Sequence, residues 1–179
     1  MNLDLAKIID VAGIDKEFAM KDCTERILWA YETFKEGLFL TTSGGETSAV
    51  LPNLTRDALG FCPPILFVDT GYFNDCTHNM IRYLENEGYD VNIYKSTISK
   101  SEIEKRFPNW SDPESVHFRD VVSVIKHEPL MRGFRELNIK AWLGGVMRHE
   151  TEERKNAKFV QFNKGLYQIF PILDWDSCK

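Results

Sequence analysis

Short apolar runs alternate with helical periodicity and polar, glycine-containing breaks along this chain. Over the first 36 residues, Ile8, Ile9 and Val11 precede Gly13. Phe18, Ile27, Leu28, Tyr31 and Phe34 then recur near helical spacing, which predicts helix. After Gly37, Leu38-Phe39-Leu40 reads as a buried strand, and Val50, Leu51 and Leu54 predict a helix with Pro52 in its first turns. Ile65-Leu66-Phe67-Val68, Val91-Asn92-Ile93-Tyr94 and Ala141-Trp142-Leu143 predict further strands. Residues 75–87 and 118–137 predict helices, the second bent or broken near Pro129, and a short helix is expected between Ser99 and Asp112. Phe159–Phe162 and Leu166–Phe170, joined through Asn163-Lys164-Gly165, predict a hairpin. Strands alternating with helices imply an α/β fold of three layers, a mostly parallel sheet with helices on both faces. Residues 1–36 read as a helical segment packed on the core, and 37–179 as one globular unit.

Composition narrows the function classes. The 179 residues are 43% hydrophobic and 27% charged, an ordinary globular balance, and suffice for one domain. The net charge of −5 argues against a general polyanion binder but leaves room for a local basic pocket. No apolar stretch approaches the ~18 residues of a membrane span, and Met1–Leu5 does not resemble a secretory leader. Cys23, Cys62, Cys76 and Cys178 form no Cys-x-x-Cys pair, which points to reduced thiols and a cytoplasmic setting. The histidines lack metal-ligand spacing, so no metal site is expected.

In α/β sheets, ligands sit outside the carboxyl ends of the strands. Three polar segments fall there. Thr42-Ser43-Gly44-Gly45-Glu46-Thr47-Ser48 joins a strand to a helix, where two glycines permit close backbone wrapping of a phosphate-like group. The same pattern also suits an N-capped turn. It lacks the Gly-Lys-Ser/Thr ending of a Walker loop and the full dinucleotide fingerprint. Asp69-Thr70-Gly71 could meet a base or ribose, or cap the next helix. Gly144-Gly145-Val146-Met147-Arg148 with Arg154 offers guanidinium groups for phosphate or sulfate, or a solvated basic run.

The loop at 43–48 resembles the pyrophosphate loop Ser-Gly-Gly-x-Asp-Ser of the adenine nucleotide alpha-hydrolase superfamily, with Thr47 in place of the Asp. Val68–Tyr72, Lys126-x-x-Pro129-Leu130, Gly145-x-x-Arg148 with Arg154, and Pro171–Asp176 resemble the phosphoadenylyl-sulfate (PAPS) reductase branch. That family reduces PAPS to sulfite and releases adenosine 3′,5′-bisphosphate (PAP), with thioredoxin or glutaredoxin as reductant, in sulfate assimilation. The resemblance implies that Thr42–Ser48 cradle the phosphosulfate and Asp69–Gly71 lie beside the adenosine. It further implies that Arg148, Arg154 and Lys126 meet the anionic end, and that the protein can be a homodimer.

Family reductases attack sulfur with a cysteine in a Glu-Cys-Gly-x-His tail some tens of residues beyond the Asp-Trp segment. This sequence stops at Cys178-Lys179, so sulfite-forming turnover is not assured by the resemblance. Cys178 is the one substitute at that end, without the neighbouring Glu, Gly and His. Met147 also stands where the family usually has another Arg. Iron–sulfur relatives carry paired cysteines where Val121-Val122 stands here, so no cluster and no bound cofactor are expected. Two alternatives stay open. One is an ATP-dependent pyrophosphatase or nucleotidyl transferase requiring Mg²⁺, in sulfur transfer or nucleic-acid modification. The other is a non-catalytic nucleotide-binding module.

Overall fold

A computed structural model describes residues 9–45 and 50–176 of the chain. Six strands form one sheet: β1 (Leu38–Thr42), β2 (Ile65–Asp69), β3 (Val91–Lys95), β4 (Ala141–Gly144), β5 (Val160–Asn163) and β6 (Leu166–Ile169). Their spatial order is β3-β2-β1-β4-β6-β5. All neighbours are parallel except the β5–β6 hairpin. Chain order therefore runs outward from β1 through β2 and β3 on one side, and through β4 on the other. The carboxyl ends of β1 and β4 flank the crevice where such sheets bind ligands.

The two-residue period of a strand sorts the apolar runs onto two faces. Leu38, Leu40, Ile65, Phe67, Ala141 and Leu143 point into the larger core, while Phe39 and Leu66 belong to a second cluster on the opposite face. Because both faces are covered, the strands read as continuous apolar runs rather than as alternation.

The larger core is roofed by α1 (Val11–Phe18), α2 (Cys23–Phe34), α3 (Val50–Leu59) and α4 (Asp75–Asn86), which contribute Phe18, Ile27, Ala30, Leu51, Ile81 and Leu84. The entry to α2 is fixed by a reciprocal capping box between Asp22 and Glu25. Arg26 on α2 is 2% exposed and reaches the far end of the chain. It donates to Phe18 O (2.9 Å), to Pro171 O (2.7 Å) and to both oxygens of Asp174 (2.7 and 3.0 Å). Asp174 in the Pro171–Asp176 segment thus serves as a tie between the first helices and the last residues of the sheet domain.

The opposite face is covered by α7 (Glu128–Glu136), whose Phe134 packs among Phe39, Leu66 and Ile139. Gly133 allows the close approach: a Cβ there would lie 2.9 Å from Leu66 Cδ1. A smaller cluster of Ile103, Val121 and Ile125 joins α5 (Lys100–Arg106) to α6 (Phe118–Val122). The predicted break near Pro129 takes a particular form, in which α6 passes into α7 through a π-helical turn, Ser123–His127. Pro129 stands in the first turn of α7 and has no N–H to return to the preceding turn, which removes one constraint on the tighter α ladder. Among the described residues, no helix is long and apolar enough to cross a membrane.

Candidate functional site

A cavity of about 560 Å³ opens on the α7 side of the carboxyl ends of β1, β2 and β4. Its floor is apolar, made by Leu66, Val68, Leu130, Phe134 and Trp142. Trp142 is held between the near-parallel ring of Phe134 and the edge of Phe170. Gly144 leaves room for that arrangement, since a Cβ there would meet Trp142 Cζ3 at 2.5 Å. The rim is polar. Thr41, Thr42 and Ser43 come from the end of β1, Thr70 from the turn after β2, Lys126 from the π turn, and Glu150 and Arg154 from the segment after β4. Such an extra residue in a helix re-aims the side chains on it, and π turns recur at functional sites.

The first residues of the glycine loop are tied to one another. Thr42 Oγ1 accepts the Gly44 N–H at 3.1 Å, and Gly44 sits at φ +70°, where a Cβ would lie 2.5 Å from Thr77 Cγ2 on α4. Glycine is required at this position for conformation and for space. Gly45 is exposed beside it and does not line the cavity. Glu46, Thr47 and Ser48 lie outside the described residues, as does Cys178.

Asp69 departs from the sequence expectation. Strand alternation turns it towards α4, away from the cavity that its neighbours Val68 and Thr70 line. There it is buried and accepts the Gly71 N–H at 2.9 Å. It also pairs with Lys95 Nζ at 3.0 Å and faces His78 Nε2 at 3.5 Å. Burial acts to raise its pKa, but the Gly71 N–H, Lys95 and His78 together outweigh it and hold the carboxyl below its ordinary range. Gly71, at φ +78°, makes the turn that carries Thr70 to the rim and does not itself line the cavity.

Arg148 also points elsewhere. Its Nε donates to Ala157 O at 3.2 Å, and its guanidinium lies over the Phe159 ring. The backbone N–H of Arg148 bonds to Leu173 O (3.0 Å), and His149 Nδ1 lies 3.0 Å from Trp175 O. Arg148 thereby closes the segment 148–157, whose 3-10 turns Arg148–Glu150 and Glu152–Asn156 carry the two charged cavity residues. Within it Arg154 pairs with Glu150, whose carboxylate also accepts the Met147 N–H at 3.2 Å. Lys126 has no ion-pair partner among the described residues.

Sequence reasoning missed Glu150, although its spacing of four from Arg154 is the spacing of an acid–base pair. Lys95 and His78 were missed as well. Lys95 faces Asp69 only through the β2–β3 register, which pairs the two positions directly. The apolar floor reads in sequence as ordinary core. Among the described residues, no cluster of His, Cys, Asp and Glu is arranged to hold a metal ion. Burial pushes the thiols of Cys23 and Cys62 up to about 11 and about 12, while Cys76 is exposed on α4.

The family model described as the phosphoadenosine phosphosulfate reductase domain matches residues 37–179. The chain is 34% identical over 174 residues to the phosphoadenosine 5′-phosphosulfate reductase of a Synechococcus strain, covering 96% of this chain and 75% of that protein. Against the enzyme of the same name from a Synechocystis strain it is 31% identical over 173 residues, covering 94% and 68%. The solved phosphate complex of phosphoadenylyl-sulfate reductase from Candida auris superposes with a TM-score of 0.77 at 22% identity, covering 94% of this chain and 80% of that one.

Proposed function

Because the chain belongs to the phosphoadenosine phosphosulfate reductase family, we propose that its cavity binds an adenine nucleotide of the PAPS type, either 3′-phosphoadenylyl sulfate or adenosine 3′,5′-bisphosphate. One observation carries this reading. At the β1/β4 crevice, residues distant in sequence converge to give an apolar floor with a hydroxyl- and cation-bearing rim. Its volume, about 560 Å³, lies in the range of small-molecule sites.

In this reading the base lies on the floor against Leu66, Val68, Leu130 and Phe134. The anionic groups meet Lys126, Arg154 and the loop Thr42–Ser48, including Ser43, Gly44, Gly45, Glu46 and Thr47. Asp69 and Gly71 act indirectly, by holding the turn that presents Thr70. Arg148 acts by holding the segment that presents Arg154.

The sulfur chemistry of such a substrate needs a thiolate. Attack on the sulfur forms an S–S bond, breaks the S–O bond to phosphate, and leaves a cysteine S-sulfonate with adenosine 3′,5′-bisphosphate as leaving group. A dithiol protein such as thioredoxin or glutaredoxin then releases sulfite and is itself oxidised to the disulfide. Cys23 and Cys62 are poor nucleophiles for this step, because burial keeps both protonated near neutral pH.

Calorimetric titration separates the readings. Adenosine 3′,5′-bisphosphate is expected to bind more tightly than ATP–Mg²⁺, and Lys126→Ala to weaken it about tenfold, the loss of one charge-assisted contact. Binding of ATP–Mg²⁺ with no measurable binding of the bisphosphate would overturn the proposal in favour of ATP-dependent chemistry.

A further inference from the structure

We propose that Glu150 is a specificity-determining residue that competes with the ligand's anionic groups for Arg154, and so penalises each negative charge the ligand carries. This rests on the nucleotide-binding reading above. The charged side chains lining the cavity among the described residues are Lys126, Arg154 and Glu150, so a carboxylate stands on the rim of a site built for an anion. It is not a stray surface group, since its side chain is 23% exposed and it is engaged twice, with Arg154 and with the N–H of buried Met147.

The backbone contact gives the residue its effect. A phosphate or sulfate group approaching Arg154 can displace a half-exposed ion pair, because such pairs are weak. The displaced carboxylate, however, is tethered by the Met147 N–H and stays on the rim, facing the incoming anion. Its repulsion grows with the ligand's charge, whereas the apolar contact of the base is untouched. Glu150→Gln keeps the shape and the acceptor for Met147 N–H while removing the charge. Glu150→Asp keeps the charge on a shorter stem.

Affinities for AMP and adenosine 3′,5′-bisphosphate are measured by calorimetry on the full chain and both variants. Glu150→Gln is expected to bind the bisphosphate about tenfold tighter and AMP about threefold tighter, with Glu150→Asp showing no gain for either. An equal gain for both ligands, no gain, or weaker bisphosphate binding by Glu150→Gln would overturn the proposal. The last result would mean that Glu150 orients Arg154 towards the ligand. If the unaltered chain binds neither ligand, the nucleotide reading itself fails, an outcome read before any variant is compared.

Discussion

Replacing Arg26 by Met tests how the first helices are held to the segment after β6, at a residue that does not itself line the cavity. The side chain is 2% exposed and donates to two carbonyls, Phe18 O and Pro171 O, as well as bidentately to Asp174. Its guanidinium also lies 4.1 Å from the centre of the Phe159 ring. Methionine fills much of the volume but satisfies neither carbonyl, and an unsatisfied buried acceptor costs about 1–3 kcal/mol. Breaking a buried ion pair from one side costs about 3–5 kcal/mol. Asp174 is 41% exposed, so it regains water and its share must be discounted. These terms overlap, and the expected loss is about 4 kcal/mol, a large part of the ~5–15 kcal/mol stability of an ordinary domain. Urea unfolding followed by tryptophan fluorescence measures it through the midpoint at constant slope. The melting temperature should fall by roughly 8–16 °C for a chain of this size. Asp174→Asn should cost about half as much, because Arg26 keeps its bonds to Phe18 O and Pro171 O and the Asn Oδ1 can still accept one guanidinium N–H. A loss below ~1 kcal/mol for Arg26→Met, or a larger loss for Asp174→Asn, would refute the reasoning.

Gly133→Ala forces a methyl to within 2.9 Å of Leu66 Cδ1 and should lower stability by about 1–3 kcal/mol in a thermal melt, since the buried Leu66 side chain or α7 itself must shift. Asp69 is held below its ordinary pKa of 3.8, so the stability it contributes is fully present above that value and is lost as pH falls through its folded pKa. The stability gap between the unaltered chain and Asp69→Asn, followed by denaturant titration, should therefore be widest above about pH 4 and shrink below it. Iodoacetamide at pH 8 should label Cys76 fastest among the described cysteines, with Cys62 and Cys23 slow because burial keeps them protonated, as read by mass spectrometry.

The strands were legible because they are buried on both faces, so Leu38–Leu40, Ile65–Val68 and Ala141–Leu143 stand out as uninterrupted apolar runs. The loops at their carboxyl ends were legible because glycine at positive φ and clustered hydroxyls leave a compositional mark, as at Gly44 and Gly71. The π turn was visible only as a disturbance near Pro129, since nothing in a linear pattern distinguishes one extra residue per turn from a bend.

Side-chain direction within the site was less legible. Asp69, Thr70 and Gly71 are consecutive and read as one binding segment, yet strand alternation sends Asp69 to Lys95 and His78 on the α4 side and leaves Thr70 on the rim. Arg148 and Arg154 read as one basic cluster, but hydrogen bonding to Ala157 O commits the first to scaffolding. Burial period and turn chemistry are local properties, so the α/β architecture and the segments that border the crevice can be read along the chain. Which charges face one another is set by the packing of the folded chain. The pairing of Asp69 with Lys95, of Arg26 with Asp174 and the placement of Glu150 and Lys126 on the rim of one cavity depend on register and packing between segments far apart in the chain.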